Sequence, residues 1–169
     1  ASGTVVAPLK LEAGTYRIEE TKAPYGYTLP ENPLVVTLKS GNVTENINGK
    51  NYVEADISNQ MITGTLNVTK QLETITADED LTDKDFTKVK FAIVAKNDVN
   101  SVLDGSSIVK AGATYKEFNL DADGKASITG IPLGEYTLVE EEVAEGMIKA
   151  SPVDFTVAIK DDTTPVITI

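Results

Sequence analysis

Ala13-Gly14-Thr15-Tyr16-Arg17-Ile18-Glu19-Glu20-Thr21 returns 120 positions later as Leu133-Gly134-Glu135-Tyr136-Thr137-Leu138-Val139-Glu140-Glu141. Polar and apolar residues alternate in both copies, the period-2 pattern of a half-buried strand. The match runs on through Gly26 and Gly146, and Pro33-Leu34-Val35-Val36-Thr37-Leu38 then aligns with Pro152-Val153-Asp154-Phe155-Thr156-Val157, one residue out of step. One module therefore occurs twice. Similar short runs recur throughout, separated by Gly, Asn, Asp and Pro. They predict strands over Val5–Leu9, Thr15–Thr21, Leu34–Leu38, Tyr52–Asn59, Gly64–Lys70, Val89–Ala95, Thr114–Asn119, Ala126–Thr129, Glu135–Glu141, Asp154–Ile159 and Pro165–Ile169. No segment sustains a helical period over three turns, and Thr74–Thr87 has room for one helical turn or a loop.

The composition excludes much chemistry. The 169 residues contain no cysteine and no histidine, so thiol catalysis, disulfides, thiolate or imidazole metal sites and imidazole-dependent triads are absent. Fifteen basic residues against 26 acidic ones give a net charge of −11 and a pI near 4.4, with Arg17 the lone arginine, which argues against nucleic acid as a partner. No run is long and apolar enough to insert directly into a membrane, and no cofactor-binding motif is present.

The repeat sets the domain organisation. From about Met61 onward seven expected strands suffice for a two-sheet sandwich, giving a second domain over 61–169; the first, 1–60, holds about four. So few short strands bury little on their own. In the first copy the motif lies at residues 13–27, so its earlier strands are expected before Ala1, and the end of the second domain's last strand after Ile169.

Alternation also assigns faces, because successive strand residues point to opposite sides. Tyr136, Leu138 and Glu140 share one face, as do Tyr16, Ile18 and Glu20; Leu66, Val68 and Lys70 share another, as do Ala55, Ile57 and Asn59. A charged residue at a strand end is ordinarily a gatekeeper with its head in solvent. Here a lysine on an opening strand, a glutamate on a later one and an asparagine on a closing one each continue an inward apolar row.

Tyr16-Arg17-Ile18-Glu19-Glu20-Thr21-Lys22-Ala23-Pro24-Tyr25-Gly26-Tyr27 resembles the "E-box" of the B-type repeat domain of Gram-positive collagen adhesins (CnaB/SpaA-like), the module that also builds sortase-assembled pilins. Asp121-Ala122-Asp123-Gly124-Lys125-Ala126-Ser127-Ile128-Thr129-Gly130-Ile131-Pro132-Leu133-Gly134-Glu135-Tyr136 is similar to the family in the same way. The second E-box departs from the pattern: Glu141-Glu142-Val143-Ala144-Glu145-Gly146-Met147 lacks the threonine, proline and final tyrosine, although Glu140 remains. The resemblance implies an all-β chain of tandem immunoglobulin-like sandwiches of the collagen-adhesin B type, the first incomplete at its N-terminus. It also implies an intramolecular isopeptide bond between a lysine amine and an asparagine carboxamide, assisted by the E-box glutamate. By position this gives Glu20 and Asn59 in the first domain, and Lys70 and Glu140 in the second. The first domain's lysine is expected before Ala1, and the second domain's asparagine about two residues past Ile169.

Such a bond has a physical rationale. An amide is a poor electrophile and an ammonium is no nucleophile, so the fold must deliver a neutral amine and a polarised carbonyl together. An apolar interior disfavours both ions, and a neutral glutamic acid can donate to the carbonyl and pass a proton to departing ammonia. The reaction runs once per molecule, so the protein is not expected to be an enzyme acting on an external substrate. A crosslink between first and last strands resists pulling at the termini, and the short connection Gln60–Thr63 fits a stiff rod. The implied role is a stalk or shaft module of an extracellular, cell-wall-anchored or pilus-incorporated protein, with other pilin or adhesin subunits as partners. A domain whose exposed loops bind a host matrix protein or glycan is the alternative.

Other motifs carry less. The acidic run Asp78, Glu79, Asp80, Asp83 and Asp85 lacks the EF-hand pattern, since the sixth position is Asp83 where glycine is needed and the twelfth is Val89 where glutamate is needed, so no metal site is expected. Asp121-Ala122-Asp123-Gly124 reads as a hairpin turn, and Asn48-Gly49 as a turn. Tyr16 and Tyr136 are expected to pack inward, with Tyr25 and Tyr27 in the loop that follows the E-box.

Overall fold

The structure, a computed structural model, describes residues 11–39, 45–47, 50–71, 85–145, 147–160 and 165–168. The expected segment Val5–Leu9, the Asn48-Gly49 turn and the acidic residues 78–83 lie outside them. The chain divides into two compact units, Ala1–Met61 and Ile62–Ile169.

In the first unit, β1 (Gly14–Ile18) pairs antiparallel with β2 (Leu34–Leu38), with Tyr16 opposite Val36, and β3 (Glu45–Ile47) pairs with β4 (Lys50–Tyr52). Between β1 and β2, the amide of Tyr27 donates to the carbonyl of Pro24 at 3.0 Å, and Gly26 between them has φ +83°. A turn with positive φ at its third residue demands glycine, which explains the Pro-Tyr-Gly-Tyr spacing. Tyr27 is buried and bridges to Met61.

The second unit is a two-sheet sandwich. β5 (Gly64–Thr69) pairs with β10 (Lys125–Ile131) in one sheet. The other has the order β13-β12-β11-β6-β9, formed by β6 (Lys90–Ala95), β9 (Thr114–Asn119), β11 (Gly134–Glu142), β12 (Val153–Ile159) and β13 (Pro165–Thr168). β5 alternates strictly, Gly64, Leu66 and Val68 buried and the residues between them exposed, so its inner face meets the opposite sheet. Leu66, Val68, Ile93, Ile131, Tyr136 and Val157 belong to the core, where the Tyr136 and Phe155 rings stack 5.4 Å apart. A hydroxyl in that core needs a partner, and Tyr136 donates to the carbonyl of Pro132 at 2.9 Å. Tyr16 does the same to Glu12 in the first unit, also at 2.9 Å and four residues upstream, so the two copies share a tyrosine corner as well as a sequence.

Several expectations need correction. β1 ends at Ile18, and Glu20 lies beyond it. Tyr52–Asn59 is not a strand: β4 ends at Tyr52 and the chain runs irregularly to Gln60. The inward rows of the first unit are not inward, since Ile18 is 41% and Ile57 43% exposed. The Asp121–Gly124 turn is real, with Gly124 at φ +73° and its amide donating to Asp121. It makes no hairpin, because β9 and β10 on either side belong to different sheets. The hairpin β7 (Val99–Asn100) with β8 (Ser107–Val109) was not expected, because strands of two and three residues show no periodicity. Of the possible helical turn in Thr74–Thr87, only a 3₁₀ turn at Phe86–Lys88 is described, capped by Asp85, whose carboxylate accepts from the Thr87 amide at 3.1 Å.

Candidate functional site

β5 carries Lys70 in its inward register just past the strand end, where its amide donates to the carbonyl of Gly124 at 2.8 Å. The side chain is only 10% exposed. Glu140 sits on β11 opposite Phe91 of β6, immediately before the irregularity between Glu140 and Glu142, and is fully buried. Lys70 Nζ donates to Glu140 Oε2 at 3.0 Å. It lies equally close, 3.0 Å, to Oε1 in an ion-pair contact, and Oε1 is a buried acceptor with no hydrogen bond among the described residues. Oε2 also accepts from the backbone amide of Ala150, in the loop between β11 and β12. That loop is held by Ala144, which is buried, and by the Met147 amide donating to Ala144 at 3.1 Å. At the 120-residue offset this is the counterpart of the Pro24–Tyr27 turn, so the degenerate second E-box keeps the bend while losing the residues that mark it.

The first unit brings together Glu20 and Asn59. Asn59 Nδ2 donates to Glu20 Oε2 and to the carbonyl of Thr28, the latter at 2.9 Å. Two acceptors on one nitrogen fix the amide's orientation: its NH2 end faces the carboxyl. Beside this pair runs a groove of about 460 Å³ lined by Ile18, Glu20, Leu34, Asp56 and Ile57. Among the described residues no asparagine bonds to the Lys70–Glu140 pair and no lysine to the Glu20–Asn59 pair. No described set of three or more acidic side chains is placed to hold a metal. The contributions of Thr28, Gly124 and Ala150 were not foreseen, because they act through backbone groups that every residue possesses.

Two tyrosines are perturbed. Burial, then the nearby Tyr115 phenol, pushes Tyr136 up to about 12, and burial raises Tyr115 too. On the surface, Lys96 bonds to Asp154, which also accepts from Thr137 at 2.7 Å; the pairing lowers the Asp154 carboxyl and raises the Lys96 amine.

The chain matches the family model of the SpaA prealbumin-like fold domain over residues 1–53 and 65–169. It belongs to that family. Both copies of the repeat fall within the matched residues, as do Glu20, Lys70 and Glu140, whereas Asn59 falls between the two stretches. The SpaA-type assignment agrees with the all-β architecture and makes this a pilin- or adhesin-type structural domain. Among solved structures, the Bacillus anthracis TIE protein is similar at 22% identity and a TM-score of 0.49, over 86% of this chain. The chain spans 22% of that protein's length. Comparison with curated proteins gives no match.

Proposed function

We propose that this chain is a load-bearing stalk or shaft segment of a Gram-positive surface pilin or adhesin, and that each of its two polar pairs is part of a Lys–Asn crosslinking site. The observation that carries this reading is the contact of Lys70 with Glu140, both withdrawn from solvent at the edge of an apolar sandwich. A buried ion pair stabilises a fold weakly at best, because desolvation cancels most of the attraction, so a chemical role accounts for it better than a structural one.

The chemistry follows from the geometry. A proton passes from Lys70 Nζ to Glu140, giving a neutral amine beside a neutral acid. The amine attacks the side-chain carbonyl carbon of an asparagine supplied by the closing strand. The acid gives its proton to the departing nitrogen and takes up the one that the attacking nitrogen sheds, so one C–N bond forms, one breaks, one ammonia leaves and Glu140 ends neutral. Holding the groups in contact supplies an effective molarity on the order of 10⁵ M or more. In the first unit the NH2 end of Asn59 faces Glu20, which favours Glu20 as donor to the leaving nitrogen over the carbonyl oxygen. The reaction is a maturation step without turnover. Other pilin or adhesin subunits are the partners this role requires, at the cell wall or within a pilus.

Intact-mass measurement on a chain extended at both ends tests the reading. Each sandwich should be lighter by one ammonia, with Lys70 in a branched peptide after digestion. An unshifted mass refutes it.

A further inference from the structure

Glu140's two carboxylate oxygens occupy different settings. Oε2 takes hydrogen bonds from Lys70 Nζ and from the Ala150 amide, while Oε1 is buried with none among the described residues. An acceptor without a hydrogen bond inside a fold is costly, and its retention calls for a reason. Nζ is 3.0 Å from Oε1 in an ion-pair contact, so Oε1 borders the reacting nitrogen.

We propose that the backbone amide of Ala150 is a positioning group that pins Oε2, fixing the carboxyl plane so that Oε1 stays open for the incoming carboxamide. This rests on the crosslinking reading and deepens it by assigning each oxygen a task. Oε2 is the anchor, and Oε1, 3.0 Å from Nζ, takes the lysine proton and passes it to the leaving nitrogen of the substrate amide. The Ala150 loop can impose this because Ala144 is packed in the core and the Ala144–Met147 turn fixes the loop's path. Were the carboxyl free to rotate, its oxygens would exchange places and the donor would point at the carboxamide only part of the time.

The test has two arms. In the 169-residue chain, the ¹⁵N-labelled Ala150 amide should show a downfield proton that moves upfield in Glu140→Ala; an Ala150 proton indifferent to that substitution overturns the contact. In the extended chain, Ala150→Pro, which removes the N–H, should slow ammonia loss about tenfold or more, the worth of one hydrogen bond to a charged group. Ala150→Gly, which keeps the N–H, should react near the parental rate. Equal rates for Ala150→Pro and the parent overturn the positioning role, and so does equal slowing in Ala150→Gly. Should Ala150→Pro not fold, an amide-to-ester replacement at Ala150 deletes the same donor without a ring. A parent that never loses ammonia refutes the crosslinking reading and the positioning role with it, while the amide resonance still decides whether the contact exists.

Discussion

Lys70 and Glu140 meet with 10% and 0% of their side chains exposed, the nitrogen 3.0 Å from each carboxylate oxygen. Removing one partner leaves the other as a buried, unpaired ion. Glu140→Ala should therefore destabilise the 169-residue chain by about 3–5 kcal/mol in urea unfolding, whereas Lys70→Met combined with Glu140→Leu should match the parent or exceed it. In the extended protein Glu140→Ala should also leave Lys70 unreacted. A single variant as stable as the parent contradicts the buried pair, and normal crosslinking without Glu140 contradicts its proton-transfer role.

Gly64 tests how tightly the opening strand is seated. A Cβ there would stand 2.7 Å from Val157 Cγ1 of the opposite sheet, closer than packed atoms allow. Gly64→Ala should cost about 1–3 kcal/mol by overpacking. Adding Val157→Ala should cost less than the sum of the two single changes, since the second cavity accepts the first methyl. Gly112 is the contrast: its φ is +75° with no described atom within 4 Å, so Gly112→Ala should cost about 1–2 kcal/mol from the backbone alone and be indifferent to Val157. Strict additivity of Gly64→Ala and Val157→Ala in denaturation would remove the close approach.

How far these features could be read beforehand depended on where alternation holds. β5 shows it without interruption, so the inward register of Lys70 followed from Leu66 and Val68 alone. On β11 Tyr136 and Glu140 are buried while Thr137, Leu138 and Val139 between them are all half-buried, so the sequence pattern placed Glu140 inward more cleanly than the burial does. In the first unit the same logic misplaced Ile18 and Ile57, because a period says which residues share a face and not whether anything covers that face. Asn59 met Glu20 all the same, brought there by an irregular segment whose Gln60 carbonyl accepts from Thr28 at 2.9 Å. The hairpin of β7 and β8 is too short to leave a pattern. The anchoring by Ala150 and Gly124 uses main-chain atoms, for which no sequence signal exists.

Asn59 can be probed in the first unit by a change of one atom group. Asn59→Asp replaces the NH2 that Glu20 and Thr28 accept from with an acceptor oxygen, so a donor is lost and two carboxyls face each other. At neutral pH the repulsion should open the Thr28–Gln60 backbone bond, raising exchange of the Thr28 amide about tenfold over the parent, which corresponds to about 1.4 kcal/mol. In acid, once one of the two carboxyls holds a proton, the ratio to the parent should shrink. An unchanged Thr28 exchange rate at neutral pH would separate Asn59 from Glu20.

Tyr136 gives the chain a defined alkaline limit. Its phenol is pushed from 10.0 up to about 12 by burial and by Tyr115, and its hydroxyl donates to Pro132 at 2.9 Å. The native state thus keeps a proton that the unfolded chain releases earlier. The associated stability is complete below about pH 10 and declines as the pH rises from 10 towards 12. Tyr136→Phe should cost about 0.5–1.5 kcal/mol at neutral pH through the lost hydrogen bond. Its stability should then fall less steeply than the parent's across that alkaline window, and its tyrosinate absorbance should lack the latest step. If parent and variant decline in parallel there, another group sets the limit.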